Sequence, residues 1–149
     1  MTTPDDLAQV DLVISRARLA QLTFEAHGSQ ARYDQAAQAV GWAIMEPARN
    51  RSLAELSVQT TGLGNVADKI TKNHRKTLGL LRDIAGAKTF GVVLDDARTG
   101  ITEIARPIGV VGSVVPSTNP AATPANNIIN ALKGGNAIVL SPSPKGIPA

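Results

Sequence analysis

The chain has 149 residues, 43% of them hydrophobic and 18% charged, with a formal net charge of +3. That length and balance fit one globular domain and exclude a disordered chain, and no apolar run reaches the ~18 residues of a membrane span. The charge is too weak to argue for nucleic acid, and the absence of cysteine excludes disulfides, thiolate metal sites and a cysteine nucleophile within these residues.

Thr3-Pro4-Asp5-Asp6 opens a first helix, with a capping hydroxyl, a proline in the first turn and acids beside the positive helix end. Leu7, Val10, Ile14 and Ala17 give it one inward face, and Gly28-Ser29 ends it and starts the next. Tyr33, Ala37, Val40 and Ile44 carry the second helix to Pro47. Asn50 or Ser52 is expected to cap a third, with Leu53 and Leu56 inward, until Thr61-Gly62-Leu63-Gly64 breaks it. Asn65 caps a fourth, with Val66, Ile70, Leu78, Leu81 and Ile84 inward and Gly86 as its stop. Two extended segments, Phe90–Leu94 and Ile101–Ala105, then form a hairpin with a five- or six-residue loop holding Asp95, Asp96, Thr99 and Gly100.

Residues 107–145 read as strand, loop, helix, strand. Ile108–Val115 is an almost unbroken aliphatic run, the habit of parallel strands buried on both faces, and Ala137–Leu140 repeats it. Between them Ala122, Ala125, Ile128, Ile129 and Leu132 recur at helical spacing, Asn119 suits a cap, Pro120 a first turn, and Gly134-Gly135 a stop. This is a βαβ unit. The fold class is therefore α/β: N-terminal helices over 1–89, a hairpin over 90–106, and from 107 to 149 the first unit of a Rossmann-like, doubly wound sheet that is incomplete. Two parallel apolar strands need further strands and helices to cover them, so the expectation is a piece of a longer protein.

Several signals have more than one reading. Gly62-Leu63-Gly64-Asn65-Val66-Ala67 matches G-x-G-x-x-A, but a helix precedes it where the dinucleotide fingerprint needs a strand, so it reads as an ordinary helix–helix turn. Lys69, Lys72, His74, Arg75 and Lys76 read as the solvated face of the fourth helix. Phe24, Tyr33, Trp42 and Phe90 are too sparse for a base-stacking platform. His27 and His74 lack ligand-spaced partners, so no metal is expected. Residues 1–27 lack a signal-peptide core, which makes the cytoplasm the default compartment. Ser117-Thr118-Asn119 lies past the carboxyl end of the first parallel strand, where open α/β sheets bind ligands; it is a helix cap or, through the Asn119 amide, an oxyanion donor. Ser141-Pro142-Ser143-Pro144 is a rigid turn or a cofactor edge.

Pro107-Ile-Gly-Val-Val-Gly112, Pro116-Ser-Thr-Asn119-Pro120, Ala131-Leu132-Lys133 and Gly135-Asn136-Ala-Ile-Val-Leu140 together resemble the aldehyde dehydrogenase superfamily. The Ser-Thr-Asn-Pro loop, the Ser-Pro-Ser-Pro segment, Thr61-Gly62-Leu63-Gly64, Asp68-Lys69 and Lys72-Asn73-His74 are similar to its CoA-acylating branch. Within that branch Asn119–Asn130 looks closest to sulfoacetaldehyde and acetaldehyde dehydrogenases. The resemblance runs from about residue 50 to the end.

The resemblance implies oxidation of a small aldehyde to an acyl-CoA, with NAD or NADP as hydride acceptor and coenzyme A as co-substrate. The nucleophile would be a cysteine, which these residues lack. Asn119 would stabilise the hemiacetal oxyanion, and Val115, Pro116, Ser117, Thr118, Ser141, Pro142 and Ser143 would line the cofactor. The hairpin over 90–106 would be an oligomerisation arm of a homo-oligomer. Hydrolytic relatives usually carry a lysine after the second strand, where Ser141 stands here. Two alternatives remain open: part of a hydrolytic aldehyde dehydrogenase, and a non-catalytic module that binds a nucleotide or a partner.

Overall fold

A computed structural model describes residues 3–149. The elements run α1 (Pro4–Ala26), α2 (Gln30–Met45), α3 (Pro47–Thr61), α4 (Val66–Asp83), β1 (Gly91–Asp96), β2 (Ile101–Ala105), β3 (Val110–Val115), α5 (Ala122–Lys133) and β4 (Ala137–Pro142), with a 3-10 turn at Pro144–Gly146. β1 and β2 pair antiparallel, and β3 and β4 pair parallel, with Val111 opposite Ile138 and Val115 opposite Pro142. No helix among the described residues is long and apolar enough to cross a membrane.

The strand–helix–strand unit has helices on both faces. Asn127 of α5 donates to Ser113 Oγ at 2.7 Å, so Val111, Ser113 and Val115 share the α5 face by the two-residue strand period. Val110 and Gly112 line a groove of about 920 Å³ between the other face and α1, along with Val10, Val13, Ile14 and Leu22. α5 in turn packs on α2 and α4. The expected burial of β3 on both faces holds only on the α5 side: Val114 is 83% exposed because α1 leans across the sheet without closing on it. Ile108 lies outside the strand and is exposed. The face expected to turn inward on α1 is likewise open, with Leu7 and Val10 exposed.

Local chemistry accounts for most boundaries. The Thr3 hydroxyl accepts from the Asp6 N–H while the Asp6 carboxylate accepts from the Thr3 N–H, a capping box. Ser29 and Asn65 cap α2 and α4 as expected, and Gly62, at φ +70°, ends α3 in the left-handed conformation that favours glycine. α3 differs. Its cap is neither Asn50 nor Ser52 but the Glu46 carboxylate, which takes the Ala48 and Arg49 N–H groups. Pro47 therefore starts a helix rather than merely separating two, since the first helical position needs no N–H. The hairpin loop is also shorter than expected, four residues from Ala97 to Gly100, because β1 extends to Asp96 and β2 begins at Ile101.

The rows that α3 and α4 bury are mostly polar, not the expected leucines. Asn50, Ala54, Ser57 and Thr61 are buried on α3, and Lys69, Asn73 and Thr77 on α4. The Asn73 amide donates to Asn50 Oδ1 at 3.0 Å, and Asn50 donates to the Ile70 carbonyl at 3.0 Å. Thr77 reaches Asn126 of α5 at 3.4 Å. Leu78 is half exposed instead of inward.

A second polar join ties α2 to α5. Lys133, only 6% exposed, pairs with Asp34, and Thr89 donates to the Lys133 carbonyl. The Lys133 hydrogen bond holds the Asp34 carboxyl below its ordinary value of 3.8, against the opposing effect of burial. A carboxylate with a depressed folded-state pKa stabilises above its unfolded pKa and loses that contribution as pH falls through the folded value. Wild type should therefore exceed Asp34→Asn in stability at neutral pH, and the gap should close as pH drops below about 4. Urea denaturation of both proteins at a series of pH values checks this; a gap that stays constant with pH rules it out.

Candidate active site

The carboxyl ends of β3 and β4 meet at one edge of the sheet. Val115 is buried, and its carbonyl accepts from the Ser143 N–H at 3.1 Å. Pro120 is buried against the 3-10 turn: a Cβ added at Gly146 would stand 3.0 Å from that of Pro120. The loop over 116–120 and the segment over 141–146 are thus neighbours, as the strand order requires. Pro116, Thr118, Ser141 and Pro142 are exposed there, while Ser117, Asn119 and Ser143 are half-buried.

Asn119 is not the side-chain cap of α5. That helix begins at Ala122 with Ala121 as its uncapped flank, and Pro124 rather than Pro120 occupies its first turn. The Asn119 backbone carbonyl accepts the Thr123 N–H at 3.3 Å, but its side chain is engaged elsewhere. Lys72 Nζ of α4 donates to Asn119 Oδ1 at 2.8 Å, and Lys69 Nζ donates to the Thr118 carbonyl at 3.0 Å. Two consecutive loop residues are therefore held by two ammonium groups one helical turn apart.

The lysines have unequal surroundings. Lys69 is 7% exposed; burial first, and the neighbouring Lys72 charge second, push its pKa below the ordinary 10.5. Lys72 is exposed, as are His74, Arg75 and Lys76. The basic cluster is thus a solvated face except at Lys69, which is turned inward to the loop. Charge pattern alone hid this. The available signal was the spacing Lys69, Asn73, Thr77, three residues at intervals of four that match the buried stripe of α4.

A cofactor at this edge would meet a polar rim. Ser143 Oγ is buried with no hydrogen-bond partner among the described residues, an acceptor and donor free for a ligand. Ser141 and Pro142 border the groove beside α1. No group of His, Cys, Asp or Glu among the described residues is placed to hold a metal ion. Gly62 and Gly64 form the turn from α3 to α4, in agreement with the helix–helix reading, and a Cβ added at Gly64 would stand 3.6 Å from Lys69 Cε.

Residues 3–148 match the sequence model of the aldehyde dehydrogenase family. The chain belongs to that family. A sulfoacetaldehyde dehydrogenase (acylating) of Cupriavidus necator is 66% identical over 92% of this aldehyde dehydrogenase chain and is matched over 28% of its own length. An acetylating aldehyde dehydrogenase of Geobacillus thermoglucosidasius superposes with a TM-score of 0.87 at 34% identity, over 93% of this chain and 30% of that one. A propionaldehyde dehydrogenase of Rhodopseudomonas palustris, solved with bound CoA and an acylated cysteine, gives a TM-score of 0.73 at 27% identity, over 91% and 30%. The similar proteins are CoA-acylating aldehyde dehydrogenases, and this aldehyde dehydrogenase chain is an N-terminal part that spans under a third of their length. The neighbours share its Rossmann-like α/β architecture.

Proposed function

We propose that the protein containing these residues oxidises a small aldehyde to its acyl-CoA, with NAD or NADP as hydride acceptor and coenzyme A as acyl acceptor, in the cytoplasm. Sulfoacetaldehyde is the substrate we assign, on the 66% identity to a dehydrogenase of that name. The observation that carries the site assignment is the Asn119 amide at the carboxyl end of β3, held through its oxygen by Lys72. Its NH₂ group has no partner among the described residues and supplies donors for an oxygen that gains charge as the aldehyde carbon becomes tetrahedral. A cysteine thiolate from the remainder of the protein would make the attack, which divides the conversion into two easier stages. The first is oxidation to an enzyme-bound thioester, with the hydride passing to the nicotinamide nucleotide; the second is transfer of the acyl group to coenzyme A with release of the thiolate.

Val115, Pro116, Ser117, Thr118, Ser141, Pro142 and Ser143 are the residues we assign to the cofactor edge, and bound nicotinamide nucleotide supplies the hydride acceptor. Ser141, in place of the lysine usual in hydrolytic relatives, together with the Ser-Thr-Asn-Pro loop, favours the acylating reaction over the hydrolytic one. We assign the hairpin over 90–106 as an association arm of a homo-oligomer. Val92, Leu94, Ile101 and Ile104 are each about half exposed on it, and a two-stranded ribbon of that kind is marginal without something to lie on.

The test is cofactor reduction by the full-length protein. Sulfoacetaldehyde with NAD or NADP should give reduction that requires CoA and yields an acyl-CoA. Turnover independent of CoA, with free acid as product, would establish the hydrolytic reaction instead. The 149-residue chain alone should be inert under the same conditions, because it contains no thiol. Aldehyde-dependent reduction by that cysteine-free chain would overturn the mechanism.

A further inference from the structure

A lysine ammonium group only donates hydrogen bonds. The Asn119 atom 2.8 Å from Lys72 Nζ is therefore the amide oxygen, and the NH₂ group is turned away from the lysine. An amide on a loop otherwise has two orientations of similar shape, related by a half turn about its last side-chain bond, and only one presents donors to a given point. The backbone beneath it is fixed separately, because buried Lys69 holds the Thr118 carbonyl at 3.0 Å. The lysines come from α4, 47 and 49 positions away in sequence, so the loop's own chemistry does not dictate this orientation.

We propose that Lys72 is a positioning residue for the aldehyde oxidation assigned above: it fixes the orientation of the Asn119 amide so that its N–H groups, and not its oxygen, meet the developing oxyanion. The inference rests on Asn119 being the oxyanion donor. Its physical basis is preorganisation. A donor already aimed at the charge needs no reorganisation as the barrier is crossed, whereas a freely turning amide places its own negative end at the oxyanion part of the time. The ammonium charge on the amide oxygen also polarises the group and strengthens its N–H donors. Lys72 does not touch the aldehyde in this arrangement; it acts through Asn119.

The experiment is a double-substitution cycle in the full-length enzyme, read by the single-turnover rate of nicotinamide reduction. Lys72 is exposed, so Lys72→Met should fold with an unchanged melting temperature. It should slow reduction about tenfold or more, a fraction of the ~10²–10³ that loss of a whole oxyanion donor costs, with the KM for cofactor and CoA unchanged. Asn119→Ala should be slower still, and adding Lys72→Met to it should cost nothing further, because the group being oriented is gone. Additive losses would show that Lys72 acts on its own and would overturn the proposal. A Lys72→Met enzyme with the wild-type rate beside a slow Asn119→Ala enzyme would also overturn it while leaving Asn119 as the oxyanion donor. A wild-type rate for Asn119→Ala would instead remove the reading on which both stand.

Discussion

Asn119→Asp in the full-length enzyme is expected to lower the rate of aldehyde oxidation at least about 100-fold while the protein stays folded and binds its cofactor. The substitution changes one NH₂ to oxygen. It keeps an acceptor for Lys72 Nζ, and the Asn119 backbone carbonyl still takes the Thr123 N–H, so the loop and the start of α5 keep their supports. The change falls on the other side of the side chain, where donors are replaced by a negatively charged acceptor facing a second developing negative charge. Removal of one oxyanion donor typically costs ~2.7–4 kcal/mol in the transition state, and the added repulsion acts in the same direction. Because α5 has no side-chain cap, loss of a cap cannot account for any effect. Single-turnover reduction together with a thermal melt separates the outcomes: normal turnover would make Asn119 a structural residue and nothing more.

Tyr33→Ala is expected to destabilise the protein by about 3–5 kcal/mol, the usual cost of emptying a buried aromatic site. Tyr33 is fully buried, with its ring centroid 5.0 Å from that of Phe24 and 5.7 Å, edge-on, from that of Phe90. It joins α1, α2 and the entry to the hairpin, and it closes on Gly135, where a Cβ would stand 2.5 Å from the ring. That glycine also sits at φ +74°, so the α5–β4 turn has neither room nor backbone freedom for a side chain. The phenol oxygen, however, has no hydrogen-bond partner among the described residues, and burial raises its pKa. Tyr33→Phe should therefore leave stability unchanged or raise it slightly, since a buried unpaired hydroxyl is a cost and not a support. Denaturant unfolding of the two variants checks both statements. A large loss in Tyr33→Phe would mean that the hydroxyl has a partner after all.

Which parts of this were legible in the sequence follows from how local the responsible interaction is. The caps at Thr3, Ser29 and Asn65 bind N–H groups three residues away, and the βαβ pattern is set by periods of two and 3.6 within one segment. Those features read correctly. Glu46 was missed as a cap because its longer side chain is not among the residues favoured there, although it reaches two N–H groups. The buried rows of α3 and α4 were missed because hydrophobic periodicity does not detect asparagines and threonines that satisfy one another across two helices. Asn119 was half legible: its place at the strand end was clear, but its side chain is held by a residue 47 positions earlier, and the cap preference of asparagine pointed elsewhere. The motif around Lys69 and Lys72 carried the family resemblance before any geometry explained it. Charge pattern, taken alone, assigns both lysines to solvent, and only Lys72 is exposed.

The amide pair between α3 and α4 has a consequence for axial alignment. An apolar seam tolerates sliding, because one leucine contact substitutes for the next. Asn50 and Asn73 do not: Asn50 uses its oxygen for Asn73 and its NH₂ for the Ile70 carbonyl, and both bonds require one register. A shift of α4 by a single turn, about 5.4 Å, would strand these groups in a dry interior. The same shift would carry the ammonium groups of Lys69 and Lys72 off the loop. Asn50 and Asn73 thus serve as an indexing pin, a use of buried polar groups known from helix pairs in which one asparagine selects the alignment. The accuracy with which the Asn119 amide is held is set by how α4 is seated on α3, through Asn73 in the same buried row of α4 that carries Lys69.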